Sequence, residues 1–374
     1  MSKQLMLLFI MFIWLTACGV APPPPAASVA NPAIKAPVSE SQVKADLTAV
    51  KVYAVDNVAN MKTATAALRQ TAQEYYEQIE RIQRDQPDEN PYQYYWDNQQ
   101  AEVVELLARA KDQWLEANLH YELNEGIVAG VPSLAYYDTW IDAGPSVEED
   151  PAEALDWQLE LPDGRTLDRP GNFFHHLTEP VLWGTRSDFV GLAVDLDGDG
   201  AIEVGEAMPE ANIFLGAATG LAEATVELDQ AIADWNPTLE NAFTALVTMI
   251  PTMNEYFEQW KLSVFVSGAA STQENFVAVS RLFDINGILN GLDLTYDHLQ
   301  PVVEQANPEL NAQIDTGLAE LVSSVKELYE QDQNGKRFSP EDADILGSKA
   351  QDEATALAGQ VAQAAALLNI PLAE

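Results

Sequence analysis

The sequence predicts an all-α fold of bundle architecture, as two bundles or one large double domain. Long segments carry apolar residues three and four positions apart, the period of a helix that buries one face, and almost none alternate as strands do. Helix-start signals recur through the second half, where a capping side chain is followed by Pro or Glu. The folding part, about 325 residues, exceeds what one hydrophobic core usually serves.

Taken in chain order, Lys3 and the apolar run from Leu5 to Leu15 read as a secretory signal too short to span a bilayer as a permanent helix. Leu15-Thr16-Ala17-Cys18 resembles the bacterial lipobox, so residues 1–17 are expected to be removed and Cys18 to carry the lipid. Cys18 is the only cysteine, which leaves it without an internal disulfide partner. Residues 18–45 are Pro-rich, with Pro22 to Pro25 consecutive, and read as a semi-rigid tether. If the source is Gram-negative, Gly19 after the cysteine resembles the outer-membrane sorting class.

Two helices, Ala45 to Gln83 and Gln99 to Ala129, are expected next, parted by the polar stretch Gln86 to Pro91. The acidic, Pro-containing segment Asp142 to Pro170 reads as an ordered loop or insertion. The second half starts helices at Asn236-Pro237, Ser271-Thr272-Gln273-Glu274, Asn307-Pro308-Glu309 and Ser339-Pro340-Glu341. Ile314, Leu318, Leu321, Val325 and Leu328 form one core stripe, and Leu346, Ala350, Ala354, Leu357, Val361, Ala364 and Leu368 another. This places a first bundle at about 46–190 and a second at about 212–370.

Between them, Asp195-Leu196-Asp197-Gly198-Asp199-Gly200-Ala201-Ile202-Glu203-Val204-Gly205-Glu206 fits the twelve-residue EF-hand loop. Asp195, Asp197, Asp199, Glu203 and Glu206 supply carboxylates at positions 1, 3, 5, 9 and 12, Ala201 its carbonyl at 7, and Gly200 the turn at 6. Pro209 follows closely and the loop is single, so it reads as a structural Ca²⁺ clip in the inter-bundle region rather than a switch.

The segment Phe174-His175-His176-Leu177-Thr178-Glu179-Pro180-Val181-Leu182-Trp183-Gly184 sets His176 and Glu179 three residues apart, so that in a helix both can converge on one ion. His175 would then point to another face and serve packing or support a ligand from behind. His-x-x-Glu followed by Leu-Trp-Gly resembles the signature of the imelysin-like family, which includes the EfeO-type periplasmic proteins of bacterial iron uptake. Upstream, Tyr121-Glu122-Leu123-Asn124-Glu125 and Asp138-Thr139-Trp140-Ile141-Asp142 resemble two further family segments, in the family's order. Phe174 stands where the family usually has glycine. The resemblance covers roughly residues 46–370 and implies two helical bundles with the His-x-x-Glu at or near their junction. It also implies His176 and Glu179 as ligands, then Glu122 and Asp142, with Glu125 and Asp138 in reserve.

Charge narrows the partners. There are 58 acidic and 19 basic residues, and removal of residues 1–17 would take one Lys and no acid, leaving a net charge near −40. Such a surface repels nucleic acid and anionic lipid, so membrane contact is expected through the lipid alone. No phosphate loop, nucleophile elbow or His-Glu-x-x-His helix is present. The resemblance therefore implies a lipid-anchored, cell-envelope metal-binding protein of iron acquisition or handling, binding Fe (or Zn) and Ca, with an envelope iron-uptake protein as partner. Two alternatives stay open: an imelysin-like metallopeptidase, and a Ca²⁺-stabilised envelope binding module without a transition metal.

Overall fold

The protein is described by a computed structural model covering residues 44–271 and 273–373. The signal segment, Cys18 and most of the tether lie outside the described residues.

Two long helices begin the fold, α1 (Thr48–Asp85) and α2 (Pro91–Val128). Along α1 the positions Val50, Ala54, Val58, Met61, Ala64, Leu68, Ala72, Tyr75 and Ile79 are all buried, three or four apart, each large side chain contributing about 1.5–3 kcal/mol by leaving water. α2 starts earlier than the sequence suggests, because Asn90 accepts hydrogen bonds from the Tyr92 and Gln93 amides while Pro91 fills the first helical position. The expected boundary at Gln99 survives as a kink, since that residue has non-helical backbone angles inside the helix.

The chain then makes a short helix α3 (Ala135–Asp138) that runs directly into a π-turn, Thr139–Ala143. The acidic segment that follows contains a small antiparallel hairpin, β1 (Gln158–Glu160) with β2 (Thr166–Asp168). A second π-turn, Phe173–Thr178, leads into α4 (Glu179–Trp183), closed by Gly184 in the left-handed conformation. Strands β3 (Val190–Ala193) and β4 (Ala207–Pro209) pair antiparallel around the acidic loop, so strands and not helices flank it.

Next comes α5 (Ala211–Asp234), which packs mainly on α1. That corrects the boundary near 212: α5 belongs with α1 and α2, and the second group of helices starts after it. This group comprises α6 (Leu239–Met249), α7 (Met253–Leu262), α8 (Val264–Ser267), α9 (Arg281–Asp297), α10 (Gln300–Ala306), α11 (Pro308–Gln333) and α12 (Pro340–Leu368). Asn307 and Ser339 cap α11 and α12 as expected, and the stripe residues from Ile314 to Val325 and from Ala350 to Leu368 are buried. The helix expected to follow Ser271 does not form; regular structure resumes only at Arg281.

α2 and α9 join the two groups at a crossing of small residues. A Cβ on Gly287 would lie 3.0 Å from the Glu122 Cβ, and one on Gly291 would lie 2.9 Å from the Leu123 carbonyl oxygen. The absence of side chains there lets the two backbones approach and carries the start of α9 to the acidic end of α2.

Candidate metal centre

The last turns of α2 send two carboxyls inward. Glu122 and Glu125 are 0 % and 1 % exposed. Asn118 Nδ2 donates to Glu122 Oε1 at 2.9 Å, and the Tyr256 hydroxyl donates to Glu125 Oε1. The second oxygen of each, Glu122 Oε2 and Glu125 Oε2, is buried without a hydrogen-bond partner. Orphaned buried acceptors are rare because each costs about 1–3 kcal/mol, and more if charged.

Two more acids come from α3 and the first π-turn. Asp138 Oδ1 accepts from the Tyr121 hydroxyl at 2.7 Å. Asp142 is buried, and its Oδ1 also lacks a hydrogen-bond partner. The arrangement depends on the π-turn, whose wider coil is a recurrent feature of functional sites.

The second π-turn decides which histidine takes part. Asn172 caps it, its side-chain oxygen accepting from the His175 amide at 2.7 Å. With an extra residue in the turn, positions four apart come into register in place of positions three apart. His175 Nδ1 therefore meets Glu179 Oε2 at 2.8 Å, and His175 Nε2 lies 3.2 Å from Asp142 Oδ1 without hydrogen-bond geometry.

The expected convergence of His176 and Glu179 is thereby overturned. His176 turns outward, its Nδ1 2.8 Å from Asn172 Nδ2 and its Nε2 2.5 Å from Glu149 Oε2. Its ring crosses Gly171, where φ is +93° and a Cβ would come within 2.5 Å of His176 Cγ. Glu179 is buried and faces other donors: Phe276 N at 2.9 Å and the Val277 and Ala278 amides at 2.8 Å each. With His175 included it holds four hydrogen bonds, the full capacity of an ionised carboxylate. These bonds also explain the missing helix after Ser271, since the amides of 276–278 turn toward Glu179 instead of toward preceding carbonyls.

Phe276 has φ +55° and lays its ring 4.3 Å from the His175 ring and 4.2 Å from the Arg281 guanidinium. Arg281 pairs with Asp284 at 2.6 Å. Against the carboxyls of Glu122, Glu125, Asp138, Asp142, Glu179 and Asp284, the cations of this cluster among the described residues are Arg281 and His175. The imbalance shows in the acid–base behaviour. Burial, then the charges of Asp284, Glu125 and Asp142, hold Glu122 well above the usual carboxylate range. Burial and Asp142 push Glu125 up to about 7. Burial also lifts Asp138 well up and takes Asp284 to about 6 despite Arg281. Burial opposes the His175 cation, but Asp142 and Glu179 outweigh it and push that histidine up to about 10.

One grouping answers all of this. Ligand atoms of Glu122, Asp142 and His175 lie within 4.8 Å of one another; Glu122 Oε2 has no hydrogen-bond partner, and Asp142 Oδ1 and His175 Nε2 face each other at 3.2 Å without hydrogen-bond geometry. An imidazole and two carboxylates make a borderline-to-hard donor set that suits Fe or Zn, and Glu179 on the far ring nitrogen orients the imidazole as such carboxylates do. A cavity of about 490 Å³, lined in part by Glu125, Asp138, Asp142, Glu149, His176 and Arg281, leads to this cluster. Of the sequence-predicted ligands, Glu122 and Asp142 are brought together; His176 stands in the cavity wall and Glu179 supports from behind. Asp284, Arg281 and Tyr256 were not expected, and His175, expected to pack or to support a ligand from behind, lies with Glu122 and Asp142. The His175 to Glu179 spacing was visible in the sequence, but nothing there announces a π-turn.

At the acidic loop, ligand atoms of Asp195, Asp197 and Asp199 lie within 4.8 Å of one another. Glu206 folds back, accepting from the Leu196, Asp197 and Glu203 amides at 2.9, 3.2 and 2.9 Å. The Ala201 amide donates to Asp199 Oδ1 at 2.8 Å, and Glu203 stays outside the convergent group. Lys111 Nζ bonds the Gly205 carbonyl, and the Gly205 amide donates to the Trp183 carbonyl at 2.8 Å, tying the loop to α2 and α4.

The family model Peptidase_M75 (Imelysin) matches residues 49–364, which contain every described residue named at both sites. No curated protein matches the chain.

Proposed function

The chain belongs to the imelysin family, and from that premise we propose that it is a lipid-anchored, extracytoplasmic metal-binding protein of iron acquisition or handling. One observation carries the reading: buried ligand atoms of Glu122, Asp142 and His175 lie within 4.8 Å of one another, where a cation would be held by all three. Iron is here the cargo, and the protein's part is to bind it, orient the ligands and keep water away. Glu179 fixes the His175 ring through Nδ1, leaving Nε2 to the cation; taking up the ion displaces the Nε2 proton, so uptake strengthens as pH rises. Zn²⁺ satisfies the same donors. The acidic loop is proposed to hold Ca²⁺ separately, as a structural clip.

The test is metal content. Protein refolded without metal and reconstituted should retain Fe or Zn that Ca²⁺ does not displace and that His175→Ala holds at least about tenfold more weakly. Retention unaffected by His175→Ala would overturn the reading. The metallopeptidase alternative is favoured by one observation, the cavity of about 490 Å³ that reaches Asp142. Metal-dependent cleavage of an unfolded protein substrate, lost in His175→Ala, would support it.

A further inference from the structure

The candidate centre and the acidic loop are joined by one short helix. α4 begins at Glu179, which holds the His175 ring, and ends at Trp183, whose carbonyl accepts from the Gly205 amide of the loop at 2.8 Å. We propose that Ca²⁺ in the acidic loop regulates the Glu122–Asp142–His175 centre through Trp183 and Trp114, so that each ion tightens the binding of the other. The proposal rests on both metal-binding readings above and extends them from two separate sites to a coupled pair.

On the loop side the contacts are close. A Cβ on Gly205, where φ is +95°, would lie 3.3 Å from Trp183 Cδ1, and one on Gly184 would lie 2.6 Å from the Ala207 Cβ. With no side chain at either position, the end of the loop and the start of β4 seat directly on the end of α4. Lys111 clamps the junction from α2, its Nζ bonding the Gly205 carbonyl and lying 5.6 Å from the centre of the Trp183 ring.

On the metal side Trp114 takes over. Its ring makes T-shaped contacts with Trp183 at 5.1 Å and with His175 at 6.2 Å. Its Nε1 donates to Thr178 Oγ1 at 2.8 Å, at the residue before Glu179. Trp114 is fully buried, and in a close-packed interior a shift of Trp183 is passed to its neighbours rather than absorbed by empty space.

The loop supplies the two states that a coupling needs. Here Glu206 is turned onto the Leu196, Asp197 and Glu203 amides and stands outside the convergent group of Asp195, Asp197 and Asp199. Position 12 of such a loop ligates through its carboxylate, so ion binding takes Glu206 off those amides and fixes the chain at Gly205. Residues 205–207 then hold Trp183, and through α4 and Trp114 they hold Glu179 and His175 in the geometry the inner ion needs. The direction follows from ordering, since the second ion meets a site that the first has already fixed.

A linkage titration on full-length, metal-free protein tests this, with Zn²⁺ and Ca²⁺ as probes. Calorimetry should show Zn²⁺ bound at least about fivefold tighter at saturating Ca²⁺ than without it, and Ca²⁺ bound tighter by the same factor when Zn²⁺ is present. Glu206→Gln, which disables the loop, should bring that ratio to about one. Trp114→Phe and Lys111→Met leave every ligand in place; each should bind Zn²⁺ alone within about twofold of wild type, yet lower the ratio below about twofold. Lys111→Met serves by itself if Trp114→Phe melts early. A ratio at or below about one in wild type, with both ions bound, would overturn the coupling and leave both sites standing. A fivefold ratio kept in both variants would overturn the route through Trp183 and Trp114. Zn²⁺ binding that His175→Ala leaves unchanged would overturn the earlier reading and the coupling together, as would a loop that binds no Ca²⁺ for the clip.

Discussion

In the turn after Asn172, the backbone register selects His175 over His176, and the chemistry of the site follows from that one choice. His175 gains Glu179 on one nitrogen and faces Asp142 with the other, whereas both nitrogens of His176 are already taken by Asn172 and Glu149. His175→Ala should weaken Fe²⁺ or Zn²⁺ binding at least about tenfold, roughly 1.4 kcal/mol, while His176→Ala changes it less than about threefold; calorimetric titration of both variants checks this. Equal losses in the two would contradict the assignment. Protonation gives an independent handle. Glu125, raised to about 7 in the folded protein, is neutral there while its unfolded counterpart is ionised, so its stabilisation is full below the ordinary carboxylate value and fades as pH climbs through about 7. His175, raised to about 10, extends the fall above the ordinary imidazole value. Metal-free protein should therefore melt at progressively lower temperature from about pH 4.5 upward, and Glu125→Gln should flatten the lower part of that decline. A melting temperature that rises across this window would count against the buried acid cluster.

At the scale of elements, small residues and irregular turns position the site between regular helices. Gly287 sits on Glu122, so Gly287→Ala should push α9 off α2, cost about 1–3 kcal/mol in denaturant unfolding, and weaken metal binding with it. Full affinity in a destabilised Gly287→Ala protein would separate the crossing from the site. The acidic loop is a distinct element, held by a strand pair and by Lys111. If it binds Ca²⁺, millimolar Ca²⁺ should raise the melting temperature by mass action, and Glu206→Gln should remove most of that rise. No thermal response to Ca²⁺ in the wild type would sink the clip. How much of this was legible varied with how local each cause is. The caps at Asn307 and Ser339 and the stripes of α11 and α12 are set by neighbours within a turn, and the sequence displayed them. Glu122 and Asp142 were found through the family resemblance. The π-turns, the orientation of His175, and the unwound stretch before Arg281 depend on Glu179 meeting amides about a hundred residues away, and no local period records that.

For the molecule as a whole, the acidic excess and the buried acid cluster are separate facts. A net charge of −39 favours solubility and keeps other polyanions away, but the candidate centre is defined by a handful of carboxyls withdrawn from water. Among the described residues no helix is long and apolar enough to cross a membrane. In the proposal attachment is through Cys18, and Cys18→Ala should move the protein from the membrane fraction to the soluble fraction of the envelope or block its processing; an unchanged, detergent-requiring mature protein would rule the anchor out. The central claim is that this imelysin-family chain binds its transition metal between Glu122, Asp142 and His175. A crystal of reconstituted protein, measured at the absorption edge of the loaded metal, tests it most directly. The account predicts an anomalous peak within bonding distance of Glu122 Oε2, Asp142 Oδ1 and His175 Nε2; a peak between His176 and Glu149 with none at His175 would contradict it.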